Sequence, residues 1–96
     1  MNDTSRATVV GIVTPHLLRV VDLANQAEQG VNVDWHVRDA VSRSMAELAD
    51  QYNAAALMQA LVDGLESAAA DAPRARTAYA RVLKSAAEAA RRLLRD

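Results

Sequence analysis

Cysteine and phenylalanine are absent from this sequence, and the aromatic residues are limited to one Trp and two Tyr. Without cysteine, the chain can form no disulfide framework and perform no thiol chemistry. With so few large side chains, its core must be built mainly from small aliphatic residues, each of which buries little area. The apolar run at residues 9–13 is too short for a signal segment or a membrane span, so we expect a cytoplasmic protein.

The signatures of common enzymes and metal sites are absent as well. The sequence contains no HExxH, CxxC or GxSxG motif and no glycine-rich phosphate loop, and its serines have no base near them in the sequence. His36 and Asp39 stand three residues apart, but His16 has no second ligand close to it. We therefore predict no catalytic, cofactor-binding or metal-binding residue, and a small all-helical enzyme is the third alternative, behind two binding functions.

Alanine is prominent in the composition that remains. Apolar residues make up 51% of the chain, and many of them are Ala, which has the highest helix propensity. Residues that favour strands are concentrated in two short segments, 8–14 and 31–37. We predict a single all-α domain over residues 1–96, folded as a small three- or four-helix bundle with antiparallel neighbours. Because a domain of this size has a thin margin of stability, we also expect a homodimer.

A helical seam begins near the amino terminus but is interrupted by Pro15. Apolar residues from Val10 to Ala27 are spaced alternately three and four apart, which is typical of an amphipathic or coiled-coil helix. Either one kinked helix continues through Pro15, or the helix begins at Thr14 and residues 1–13 contain an extended, flexible arm. The seam keeps its register across the proline, which favours the first alternative. Gly30 is expected to end this helix.

Two further helical segments follow, and the sequence leaves their junction at 51–53 open. Asp34 is placed to cap a helix whose buried stripe runs from Val37 to Tyr52. The apolar register then jumps, and Asn53 is placed to cap a new helix, although one long helix over 34–70 is an alternative. Gly64 lies inside the second pattern at a cost of about 1 kcal/mol relative to Ala, which indicates that another element crosses close to it.

The last helix is predicted over residues 73–95, with Asp71 as its cap and Pro73 in its first turn. This segment holds seven of the eleven basic residues and one acid, whereas residues 1–72 hold four basic residues and ten acids. At about 100° per residue, six of its basic side chains form a stripe opposite the apolar side, and only Arg76 falls outside it. These six residues, which we call the basic stripe, are Arg74, Arg81, Lys84, Arg91, Arg92 and Arg95.

The basic stripe has several interpretations. It can be a solvated helix face balanced by acids elsewhere in the bundle, or it can bind an acidic protein surface, including a second copy of the chain. Nucleic acid is an alternative, since a helix of this length can meet several phosphates, but the segment has no aromatics for base stacking and no DNA-binding motif. The lack of Trp or Phe anchors on the helix argues against a membrane surface.

Trp35 is the largest side chain in the sequence and lies at the start of the second predicted helix. It either fills a gap between helices in the core or anchors an interface, because Trp is enriched among binding hot spots. We predict a non-enzymatic protein-interaction module (an adaptor, inhibitor or assembly subunit) that self-associates and presents a cationic helix to an acidic partner. The alternative is a nucleic-acid-associated regulator that places the same helix on phosphates.

Overall fold

A computed structural model describes the backbone of residues 2–95 and the side chains of residues 8–95. These residues form four α-helices and no strand, which confirms the prediction of a small all-α bundle. The helices are α1 (Asn2–Glu28), α2 (Asp34–Ala49), α3 (Ala54–Ala70) and α4 (Thr77–Arg95). Each helix packs against the other three, so the core lies between all four.

Consecutive helices of the bundle run in opposite directions. Helices α1 and α2 are antiparallel, because later residues of α1 border earlier residues of α2. The same relation holds between α3 and α4, whereas α1 and α3 run in the same direction. It follows that α2 and α4 are parallel neighbours on one side of the bundle.

Helix α1 continues through Pro15, so an extended arm is not formed by residues 2–13, and residue 1 lies outside the described residues. Pro15 has no N–H group and therefore donates no hydrogen bond to the carbonyl of Gly11. In the same segment, the Thr14 hydroxyl donates a hydrogen bond to the carbonyl oxygen of Val10 at 2.6 Å. Gly30 ends the helix as expected, with φ at 95° in the left-handed region that favours glycine.

The break between α2 and α3 lies at residues 50–53, so one long helix over 34–70 is not formed. The predicted cap of α2 is wrong by one residue, because Val33 and not Asp34 occupies the N-cap position. Asp34 is the first helical residue, and its N–H donates to the side-chain oxygen of Asn32 at 3.2 Å. Asn53 occupies the N-cap position of α3 as predicted, but its side chain makes no capping hydrogen bond.

Helix α4 begins at Thr77 and not at residue 73. Asp71 is the C-cap residue of α3 and not the N-cap of α4, and Pro73 lies in the loop between the two helices. The cap of α4 comes from another part of the chain. The Tyr79 N–H donates to carboxylate oxygen Oε1 of Glu28 at 3.1 Å, which satisfies one of the free N–H groups in the first turn. A carboxylate there also favours the positive end of the helix dipole.

Arg76 completes the junction between the end of α1 and the start of α4. Its guanidinium donates a hydrogen bond to Oδ1 of Asn25 and lies over the Tyr79 ring, 4.1 Å from the ring centroid. Two side chains of α1 therefore hold the beginning of α4 in place.

Aliphatic side chains from all four helices make up the core. The largest fully buried residues of α2, α3 and α4 are leucines, and three alanines of α4 are buried with them. These residues are Leu48, Leu57, Leu61, Leu65, Leu83, Ala86, Ala87 and Ala90. The abundance of Ala in the sequence thus allows α4 to lie close to its neighbours.

Gly64 marks the point where α1 and α3 approach each other. A Cβ atom added at residue 64 would lie 3.2 Å from Cδ2 of Leu17. This distance is shorter than ordinary van der Waals contact, and it confirms that another element crosses close to Gly64.

Candidate interaction surface

Helix α4 separates an apolar side from a charged side. Five of its residues are buried, namely Val82, Leu83, Ala86, Ala87 and Ala90. The other side is exposed and carries Arg81, Lys84, Arg92 and Arg95, together with Glu88. Because the helix has 19 residues, the charged side is about 28 Å long at 1.5 Å per residue.

Two members of the basic stripe differ from the other four. Arg74 is exposed in the loop before α4, so its predicted place on the helix is wrong, whereas its role in binding stays a prediction. Arg91 is half-buried, and its Nη2 lies 2.7 Å from Oε2 of Glu66 on α3. The hydrogen bond from Arg91 to Glu66, and then the negative charge of Glu66, raise the pKa of the Arg91 guanidinium. Arg91 therefore links α4 to α3.

On the α3 side of α4, acids compensate the basic stripe. Lys84 and Arg91 share a groove of about 330 Å³ with Glu66 and Glu88. Two cations and two carboxylates give this groove no net formal charge. The groove therefore has no excess of positive charge, although Lys84 at its edge is exposed and forms no ion pair with a described residue.

On the α2 side of α4, the charge is not balanced. A groove of about 270 Å³ lies between the two helices and has Arg38 and Arg81 among its lining residues, with Asp34 as its one carboxylate. Val37 and Val82 also line it, and both are nearly buried, so the groove reaches down to the core. Within the described residues, neither guanidinium forms an ion pair.

Trp35 is 69% exposed, so its interpretation as a core filler is wrong. The core positions on either side of it are taken by Val33 and Val37, which are 2% and 6% exposed. The Trp35 ring makes an edge contact with the His36 ring, with 5.3 Å between their centroids. Its role as an interface anchor stays a prediction, and an exposed position at the beginning of α2 is compatible with it.

A serine, a histidine and a carboxylate that are distant in sequence come together between α1 and α2. Nδ1 of His16 lies 2.8 Å from Oγ of Ser44, and its Nε2 lies 3.6 Å from Oε2 of Glu47. Sequence reasoning did not connect these residues, because 28 positions separate the serine from the histidine. Ser44 is 0% exposed, so a substrate cannot reach its hydroxyl. The hydroxyl instead provides a hydrogen-bond partner for the ring nitrogen Nδ1 of His16.

One arrangement that a small all-helical enzyme could use is a pocket in which Arg19 or Arg38 meets Lys84 and a carboxylate. In the described part of the chain these cations lie in three separate grooves. The same residues contain no group of three or more His, Cys, Asp and Glu side chains that could hold a metal ion. No helix among them is both long enough and apolar enough to cross a membrane.

Comparison with known proteins adds no further constraint. No protein-family model matches the chain, and no curated protein or solved structure does. Function must therefore be inferred from the residues of the surface itself.

Sequence reasoning missed Arg38 as part of this surface. It considered the cations of α4 alone, whereas the groove receives one cation from each of two helices. A helical wheel of α2 carries the necessary signal, because Arg38 borders a row of exposed residues that are small or aromatic, namely Trp35, Ser42, Ala46 and Ala49. An exposed helix face normally carries charged and polar residues along this row.

Proposed function

We propose that this chain is a non-enzymatic protein-interaction module that binds an acidic partner through the exposed cationic side of α4. The supporting observation is the position of four basic side chains, namely Arg81, Lys84, Arg92 and Arg95, which are exposed and form no ion pair with a described residue. Exposed charges contribute little to the stability of the fold, so folding alone does not account for four unpaired cations on one side of a helix.

Electrostatic attraction to an acidic surface accounts for this arrangement. Charges of one sign on one side of a protein accelerate association with an oppositely charged partner and suppress binding of wrong partners. The apolar side of α4 is mostly buried in the core, with Leu93 39% exposed, so its charged side is the larger part of the helix that remains for a ligand. We also propose that the module self-associates as a homodimer, since a larger assembly would stabilise a domain with such a small core. We place it in the cytoplasm of a bacterium, because ten Arg to one Lys is typical of a GC-rich bacterial coding bias.

Affinity capture from a lysate of the native host tests the proposal. We would compare the wild-type chain with a variant in which Arg81, Lys84, Arg92 and Arg95 are all replaced by Gln. Capture would be carried out with and without nuclease, at about 0.1 M and about 1 M salt, between which the Debye length falls from about 10 Å to about 3 Å. We expect protein partners that resist nuclease, are lost at high salt and do not bind the variant.

Two results would contradict the proposal. If all captured material disappears with nuclease, the ligand is nucleic acid, and binding should then weaken steeply as salt rises. If the variant captures the same proteins as the wild type, the cationic side of α4 is not the binding surface. Arg43→Gln is the matched control, because Arg43 is exposed on α2 and already paired with Asp39 at 3.1 Å.

Self-association is tested by light scattering of the purified chain. At about 100 µM, a dimer with a micromolar Kd would be almost fully populated. A particle of twice the monomer mass of 10.3 kDa is expected, and a particle of one monomer mass at this concentration would contradict the homodimer.

A further inference from the structure

The groove between α2 and α4 combines an apolar floor with two opposed cations. Arg38 comes from α2 and Arg81 from α4, so their guanidinium groups belong to different helices and border the same space. Two like charges on one groove repel each other, and the nearby Asp34 offsets only one of them. A carboxylate placed between Arg38 and Arg81 would remove this repulsion and could accept hydrogen bonds from both.

A row of uncharged residues follows the exposed side of α2 between Arg38, which lines this groove, and Asp39. Trp35, Ser42, Ala46 and Ala49 follow one another at intervals of seven, four and three residues along it, and all four are exposed. Small side chains at such spacing allow another helix to approach closely, at interaxial distances of about 8 Å. Trp35 stands at one end of this row and could cover apolar surface of a ligand, as interface Trp residues do.

The parallel course of α2 and α4 extends the same surface along the bundle. Ser85 and Ala89 line the groove on the α4 side, so small residues form part of its wall there. Further along α4, Arg92 is exposed and adds a third cation, one turn after the exposed carboxylate of Glu88. A groove between parallel helices, with one cation on each wall and small residues on its α4 wall, fits a rod-shaped ligand of negative charge.

We propose that the acidic partner docks in the α2–α4 groove as an amphipathic α-helix. Its carboxylates lie between Arg38 and Arg81 and reach toward Arg92, and its apolar side packs on Trp35 and on the small residues of α2 and α4. The inference rests on the proposed function and specifies it, because it names the site on the bundle and the class of ligand. Helices that place an apolar side in a groove are a recurrent mode of peptide recognition.

A second copy of the chain fits this groove less well. On the exposed side of α3, the carboxylate of Glu66 is already paired with Arg91, which leaves Asp63 as the next carboxylate of that helix. On α2, Asp39 is paired with Arg43, Glu47 lies 3.6 Å from Nε2 of His16, and Asp34 already lines the groove. Charge complementarity therefore favours a separate, more acidic helix as the occupant.

A display library of helical peptides tests this inference and does not require the natural partner to be identified first. The library would have a constant helix-forming framework, with acidic, basic, neutral polar and apolar residues randomised around the whole circumference. We expect the enriched peptides to be net acidic, to carry an apolar side, and to become helical on binding. Trp35 is the single Trp of the chain, so its emission should shift to shorter wavelength when such a peptide covers it.

Three variants locate the binding site of the enriched peptides. The double replacement Arg38→Gln and Arg81→Gln should weaken binding by about tenfold or more, and Trp35→Ala should weaken it to a similar extent. The matched control Arg43→Gln should change the affinity by less than about twofold, because Arg43 is exposed and lies outside the groove. Amide chemical-shift changes in the labelled protein should follow the exposed sides of α2 and α4.

The outcomes separate a failure of this inference from a failure of the proposed function. One outcome is that acidic peptides keep their affinity when Arg38, Arg81 and Trp35 are replaced but lose it when Lys84 and Arg95 are replaced. This result would overturn the groove as the binding site and leave the proposed function standing. Enrichment of basic or neutral peptides, or of none, would overturn both. Binding without helix formation, or self-association that the same variants abolish, would overturn the partner helix as the occupant.

Discussion

The two glycines inside helices, Gly11 and Gly64, allow a sharp test of how the bundle is packed. A glycine in a helix interior costs about 1 kcal/mol relative to alanine, so replacement by Ala should stabilise each helix by that amount if space permits. At Gly11, an added Cβ meets no atom within 4 Å. Gly11→Ala should therefore raise the free energy of unfolding by about 1 kcal/mol, or the Tm by about 4–8 °C for a domain of this size.

At Gly64 the same change meets the side chain of α1. The added Cβ would lie 3.2 Å from Cδ2 and 3.6 Å from Cδ1 of Leu17. Overpacking a close contact costs about 1–3 kcal/mol, and the lower end applies because the neighbour is the flexible end of a half-buried leucine. The gain in helix propensity and the steric cost against Leu17 then nearly cancel. Gly64→Ala should therefore change the free energy of unfolding by less than about 1 kcal/mol.

Urea denaturation of a double-mutant cycle measures this balance. In a Leu17→Ala background the steric cost disappears, and Gly64→Ala should then stabilise the chain by about 1 kcal/mol relative to that background. Gly64→Leu in the wild-type background should destabilise it, because the larger side chain has nowhere to go between α1 and α3. Equal stabilisation by Gly11→Ala and Gly64→Ala in the wild-type background would refute the close crossing of these two helices.

Four further tests use the same denaturation assay on separate parts of the structure. Leu83→Ala should cost about 2–5 kcal/mol, because Leu83 is 0% exposed at the centre of α4, and a cost below about 1 kcal/mol would contradict its place in the core. Glu28→Gln should cost about 0.5–1 kcal/mol and less at high salt, since it removes a charged cap from the first turn of α4; an unchanged stability would show that this contact is not formed. Ser44→Ala should cost about 1–2 kcal/mol, because it leaves a ring nitrogen of His16 without its partner, and a neutral effect would contradict the bond. The coupling between Glu66→Gln and Arg91→Gln should shrink as salt rises to about 1 M, whereas a coupling insensitive to salt would exclude an exposed ion pair.

The sequence is sufficient to predict the class of fold and the approximate positions of the helices. Periodic apolar residues and abundant Ala predict helices because these preferences are local. The end of α1 at Gly30 and the break before Asn53 follow from local signals of the same kind. The continuous course of α1 through Pro15 also agrees with the uninterrupted apolar register on both sides of the proline.

The start of α4 and the position of Trp35 could not be predicted in this way. The cap of α4 is Glu28, a residue 51 positions before the N–H that it accepts from, so Asp71 and Pro73 gave a misleading local signal. Trp35 is large and apolar and comes directly after the predicted cap Asp34, which made a buried position plausible. In the structure, its neighbours Val33 and Val37 are buried in the core instead. The groove that includes Arg38 depends on which helices are adjacent, which the pattern of a single helix does not reveal.

The link between Glu28 and Tyr79 also has a consequence for folding during synthesis. The ribosome releases α1, α2 and α3 first, while the segment that completes their shared apolar interior is still to come. We expect the nascent chain to remain loosely collapsed, with its apolar surfaces accessible to chaperones, until residue 95 has left the ribosomal exit tunnel. The native state would then form late, when α4 has been translated and packs against α1.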